Sequence, residues 1–102
     1  MPLNAAFLFL SGSADPATHR GTVPTGDVDL HVVAVKNYAE AESVARELVD
    51  TLGVGAIELC GGFGIEGTAR VQRAVGAGVP VGVVRFDHHP GLGDVSGDTL
   101  FA

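Results

Sequence analysis

Apolar residues fall along this chain in two rhythms, short β-branched or aromatic runs and one long helical stripe, and their alternation predicts a layered α/β fold. Asn4–Leu10 and Val28–Val35 read as buried strands, with Val54–Cys60 and Val79–Phe86 as the third and fourth. Asn37 stands at an N-cap position with Glu40 three residues on, and Ala41, Val44, Ala45, Leu48 and Leu52 recur at helical spacing until Gly53 ends the run. The outer face of that helix carries Glu40, Glu47 and the i,i+4 pair Glu42 and Arg46. Gly64 to about Gly76 reads as a second, glycine-weakened helix with Ile65, Ala69, Gln72 and Val75 on one side, and Arg70 and Arg73 on a solvated face or a subunit contact. Between the first two strands, Ser11-Gly12-Ser13 leads into a turn begun by Asp15-Pro16, and Gly21–Asp27 is loop chemistry. Asp87–Ala102 shows no periodicity, holds three aspartates and no basic residue, and reads as a loop-like tail tied down by Leu100 and Phe101.

This order predicts one α/β domain over residues 1–102, with about four mostly parallel strands and two main helices in a layered βαβ arrangement. The last three strands run parallel through right-handed crossovers, while the direction of the first is open. Ligands of such sheets bind beyond the carboxyl ends of the strands. Those ends deliver Ser11-Gly12-Ser13, Lys36-Asn37, Cys60-Gly61-Gly62 and Asp87-His88-His89, and the serines leave the group if the first strand is antiparallel.

Composition adds a partner and removes others. The 102 residues are 46% hydrophobic and only 18% charged, so part of the apolar surface is expected to be covered by a second copy of the chain. A net charge of -6 with no basic run argues against nucleic acid or an anionic membrane. The run Ala5–Leu10 is far shorter than the ~20 residues a bilayer span needs and lacks a positive n-region. A single cysteine excludes an internal disulfide and points to a reducing cytoplasm.

The segments Phe7-Leu8-Phe9, Asp15–Arg20, Gly26–His31 and above all Gly55-Ala56-Ile57-Glu58-Leu59-Cys60-Gly61-Gly62-Phe63-Gly64 resemble a family of short bacterial proteins known only as a domain of unknown function, number 6506. The resemblance spans about Ala5 to Val84 and leaves out the tail. It implies a bacterial, compact, single-domain protein and assigns no catalysis.

Candidate chemistry centres on the glycine-rich junction. Gly62-Phe63-Gly64-Ile65-Glu66-Gly67 has the G-x-G-x-x-G spacing of a dinucleotide loop, with Asp87 about twenty residues on as a ribose acceptor, yet four strands are too few for a two-half dinucleotide fold. The bland alternative is a set of glycines that permit a tight turn and close packing. Cys60 before a helix start could act as a thiolate nucleophile with His88 or His89 as base, or be an inert core residue. Glu58 lies in a strand expected to be covered on both faces, where a carboxylate must be protonated, paired with a cation such as Arg85 or Lys36, or face a pocket shared with Cys60; the bland alternative is a structural ion pair or an exposed sheet face. His19, His31, His88 and His89, with Asp27, Asp29, Asp87 and Cys60, supply metal-ligand types without a clamping pair, so no metal is assigned, and no motif names a cofactor. The leading expectation is a small anionic or polar metabolite held by Gly61, Gly62, Phe63 and Gly64, with Ser11 and Asn37 at the same edge. Its rivals are a hydrolase or isomerase using Cys60, Glu58 and His88, and a purely structural or partner-binding oligomeric subunit.

Overall fold

A computed structural model describes residues 2–86 and 88–102. Five strands form one mixed sheet: β1 (Leu3–Leu10), β2 (Arg20–Pro24), β3 (Val28–Val35), β4 (Ala56–Leu59) and β5 (Val81–Val83), in the spatial order β2-β3-β1-β4-β5. Two helices, α1 (Tyr38–Leu52) and α2 (Ile65–Val75), make the crossovers from β3 to β4 and from β4 to β5. β1 runs parallel to both β3 and β4, and β4 parallel to β5, so Ser11 does remain at the carboxyl edge with Asn37 and Cys60. The protein is a single α/β domain.

The fifth strand is β2, which pairs antiparallel with β3 at the sheet edge where loop was expected. Gly21 and Pro24 disguise it in the sequence, but an edge strand tolerates both because one of its sides makes no ladder bonds. The hairpin closes through Thr25, whose N–H and hydroxyl both donate to the Val28 carbonyl at 2.9 and 3.0 Å, and through Gly26 at φ 96°, a left-handed value suited to glycine. Residues 11–27 thus return in the plane of the sheet, without a helix.

Both crossovers advance in the same direction across the sheet, so right-handedness puts both helices on one face. Ala6, Leu8, Val33, Val35, Ile57 and Leu59 point to that face and meet Ala41, Val44, Ala45 and Leu48 of α1 and Val71 of α2. Asn37 caps α1 as its sequence predicts, accepting from the Glu40 N–H at 2.9 Å, and Gly53 ends it at φ 68°. Leu52, counted in the apolar stripe, is instead 44% exposed. Glu42 bonds to Arg70 on α2 at 2.9 Å rather than to Arg46, tying the helices together, and this bond holds its carboxyl below the usual range.

Two expectations about buried faces, the cover on both sides of β4 and the apolar side of α2, fail here for separate geometric reasons. β4 is covered on one face only, so Glu58 is exposed on the helix-free side and forms no hydrogen bond or ion pair with a described residue. α2 turns Gly67 and Val71 to the core, and Ile65 of the expected apolar side is 71% exposed. The absence of a Cβ at Gly67 decides that rotation, because one built there would lie 2.4 Å from the Tyr38 ring. No helix among the described residues is long and apolar enough to cross a membrane.

Leu8, fully buried on the central strand, carries the sheet's grip on the helices. Leu8→Ala is expected to lower unfolding free energy by about 2–5 kcal/mol with an unchanged denaturant m-value. A loss under ~1 kcal/mol in equilibrium urea unfolding would contradict this packing.

Candidate functional site

The carboxyl edge of the sheet is closed by the tail. After Phe86 the chain makes two short 3₁₀ turns, Pro90–Leu92 and Gly97–Thr99, and returns across the starts of both helices. At α1 the Phe101 carbonyl accepts the Tyr38 N–H at 3.1 Å, and the Phe101 ring lies 6.4 Å from that of Tyr38. At α2, Gly64 occupies the N-cap without a side chain to cap with, and Asp98 substitutes for it from the tail. Its Oδ2 accepts from the Glu66 N–H at 3.2 Å and its Oδ1 from the Gly67 N–H at 3.1 Å. These are two of the four N–H groups that a helix start leaves without intrahelical partners.

Tyr38 completes the node. Its buried hydroxyl donates to Asp98 Oδ1 at 2.9 Å and accepts from the Gly64 N–H at 3.1 Å. Burial pushes this hydroxyl up to about 12; the Gly64 N–H opposes the rise and the Asp98 charge adds to it. For Asp98 partial burial works against ionisation, but the Glu66 N–H, the Tyr38 hydroxyl and the Gly67 N–H outweigh it and hold the carboxyl below the usual range. The feature that sequence reasoning assigned to a bound anion is therefore filled by the chain's own carboxylate.

Sterics account for the glycines. A Cβ at Gly64 would lie 2.2 Å from the Asp98 carboxyl carbon, and one at Gly61 2.2 Å from the Phe86 ring. One at Gly97 would fall 1.6 Å from the Gly62 carbonyl oxygen. Each glycine of the G-x-G-x-x-G spacing is thus in close contact with the protein itself, as the packing alternative holds. The ribose-acceptor assignment at Asp87 lies outside the described residues.

The proposed catalytic trio is not gathered. Cys60 follows the end of β4 and packs against the core, accepting from the Gly62 N–H at 3.4 Å, whereas Glu58 projects from the opposite face of the sheet. Alternation fails to put them together because the strand ends at Leu59. His88 is exposed on the tail, and the His89 ring packs on Phe86 at 4.6 Å while its Nδ1 accepts from the Gly91 N–H. His19 Nδ1 accepts from the Asp15 N–H, and His31 bridges Thr22 and Asn4. Among the described residues no three His, Cys, Asp or Glu side chains gather as a metal site. Asn37 is engaged as a cap, and Ser11 Oγ lies 3.4 Å from Ser13 Oγ.

Beside the node lies a cavity of about 580 Å³, within the size range of small-molecule sites. Its floor is Ile65, Ala69 and Gln72 from the α2 face that the sequence marks as apolar, without Val75 and with Thr68 beside them, and its walls include Phe63, Val83 and Phe86. Asp98 borders it, and among the described residues that line it Arg85 is the one cation. Of the expected ligand residues Phe63 and Gly64 line it; Gly61, Gly62, Ser11 and Asn37 do not. Sequence reasoning missed Tyr38 and Asp98, and named Arg85 only as a partner for Glu58. One signal was present: a helix beginning on an uncapped glycine calls for an acceptor from elsewhere, and the tail carries spare aspartates.

The model of a family of unknown function, DUF6506, matches residues 3–99. The chain belongs to this family. The DUF6506 match reaches past Val84, where the resemblance was drawn to end, and takes in the two tail turns with Asp98. No curated protein and no solved structure matches the chain.

Asp98→Ala removes the α2 cap and is expected to destabilise the DUF6506 chain by about 0.5–2 kcal/mol at neutral pH. Because the folded carboxyl is depressed, the wild-type advantage is full above the unfolded pKa of ~3.9 and fades as pH falls through the lower folded value. Urea unfolding of both proteins across the acid range checks it; a difference independent of pH would refute a charged cap.

Proposed function

We propose that this DUF6506 protein binds a small organic acid in the cavity between α2 and the tail, without transforming it. The observation that carries this reading is the cavity's composition: an apolar floor and walls from Phe63, Ile65, Ala69, Val83 and Phe86, with a single guanidinium, Arg85, at its border. An apolar body is driven into such a space by the area it removes from water, about 25 cal/mol per Å². A carboxylate at one end then lies in the field of the Arg85 cation on the cavity lining. The helix start supplies no anion hole while Asp98 occupies it, so the ligand's charge belongs at the Arg85 end and not at Gly61 to Gly64.

A bacterial source and a cytoplasmic setting belong to the same reading, supported by the resemblance and by the single cysteine. No grouping of Cys60, Glu58 and His88 favours the catalytic alternative.

A thermal-shift and calorimetric panel of short aliphatic and aromatic carboxylates, set against the matching amides, tests the proposal. Saturable binding of an acid is expected, with Ala69→Trp abolishing it by filling the cavity and Arg85→Gln weakening acids about tenfold while leaving amides unchanged. Silence across the panel, or binding that survives Ala69→Trp, would overturn it.

A further inference from the structure

The polar side chains of the cavity divide by donor and acceptor. Thr68 and Gln72 line it from α2, one turn apart. The Thr68 hydroxyl donates to the Gly64 carbonyl at 2.9 Å, the back-bond that serine and threonine make inside helices. The Gln72 amide nitrogen donates to the Gly76 carbonyl at 2.9 Å and to the Val79 carbonyl at 3.0 Å. A hydroxyl has one proton to donate and an amide two, so both side chains have used their donors on the chain itself. They keep lone pairs, on Thr68 Oγ1 and Gln72 Oε1, and no described residue donates to either oxygen. Because no buried side-chain oxygen or nitrogen among the described residues lacks a partner, Gln72 Oε1 is accessible. The two carbonyls that Gln72 engages hold its amide in place before any ligand arrives.

Charge follows the same division. Asp98 borders the cavity at the start of α2, and despite partial burial its hydrogen bonds hold the carboxyl below the usual range, so it is ionised at neutral pH. Its full negative charge exceeds the roughly half positive charge of the helix start that it caps. The cation Arg85 comes from the stretch after β5. On the tail, the Ser96 Oγ accepts from the Asp98 N–H at 3.1 Å, which leaves its proton to donate.

Resting on the reading that this cavity holds an organic acid, we propose that the acid is an apolar amino acid. Its carboxylate lies toward Arg85, its ammonium toward the α2 wall of Thr68, Gln72 and Asp98, and its apolar body on the floor between them. Two physical arguments require both charges on one ligand. A carboxylate alone gains the attraction of Arg85 and meets the repulsion of Asp98, and the two oppose each other where both charges border one cavity. A ligand without N–H groups also displaces water from the open oxygens of Thr68 and Gln72 and leaves them without a donor. An ammonium brings three donors and a positive charge to that wall and removes both costs.

Isothermal calorimetry of the whole chain with phenylalanine, hydrocinnamate and phenethylamine, and with leucine, isocaproate and isoamylamine, tests the proposal. Within each series the side chain is constant and either the ammonium or the carboxylate is missing. The amino acid is expected to bind at least about tenfold more tightly than either fragment. Thr68→Val keeps the side chain's shape and removes the hydroxyl; it should reduce that preference several-fold, while affinity for the acid, which reports an intact cavity, holds. Ala69→Trp should abolish amino-acid binding and so locate it in the cavity. An acid that binds as tightly as its amino acid, or a preference that Thr68→Val leaves untouched, would overturn this inference alone and leave the organic-acid reading standing. An amine that matches its amino acid, or no binding in either series, would overturn both.

Discussion

The arrangement of the carboxyl edge depends on one carboxylate. Asp98 accepts from the two N–H groups at the start of α2 and from the Tyr38 hydroxyl, and Tyr38 is the first residue of α1. One side chain from the tail therefore joins both helices where they leave the sheet. Charge makes the join strong, since an ionised acceptor bonds about twice as well as a neutral one, and the positive end of the α2 dipole adds to it. Because the tail reaches this point only by passing over Gly62 and Gly64, the glycines and the carboxylate are consequences of each other.

That dependence explains why the glycine-rich segment reads ambiguously. Close approach of backbone to a ligand and close approach of backbone to backbone make the same demand on a residue, the absence of a Cβ. From Gly62, Gly64 and Gly67 alone the two cannot be told apart; the partner atoms decide, and at Gly64 and Gly67 they come from Asp98 and Tyr38, far away in the chain. The strands, α1 with its Asn37 and Gly53 caps, and the parallel βαβ core are written in local periodicity and could be read directly. β2 could not, because an edge strand with every residue exposed has no buried face to impose alternation. The tail could not either, since its order comes from hydrogen bonds to distant elements and not from a repeating apolar pattern.

The same comparison separates two kinds of apolar signal. Ile65, Ala69 and Gln72 recur at helical spacing, but the face they define borders a cavity while Gly67 and Val71 take the core. Likewise the apolar runs Ala5–Leu10 of β1 and Val32–Val35 of β3 suggest strands buried on both sides, and only one side meets helices. In both places apolar sequence exceeds what the isolated fold covers. The excess next to Arg85 borders a cavity, and the excess on the sheet lies on the face opposite the helices.

The Asp98–Tyr38 node admits a direct reading, because Tyr38 is the only tyrosine in the chain and phenolate absorbance reports it alone. A pH jump followed before unfolding should show ionisation with a midpoint near about 12 in the wild-type protein, and a clearly lower midpoint in Asp98→Ala, where the neighbouring negative charge is gone. A wild-type midpoint near the ordinary ~10, unmoved by that substitution, would contradict the closed junction.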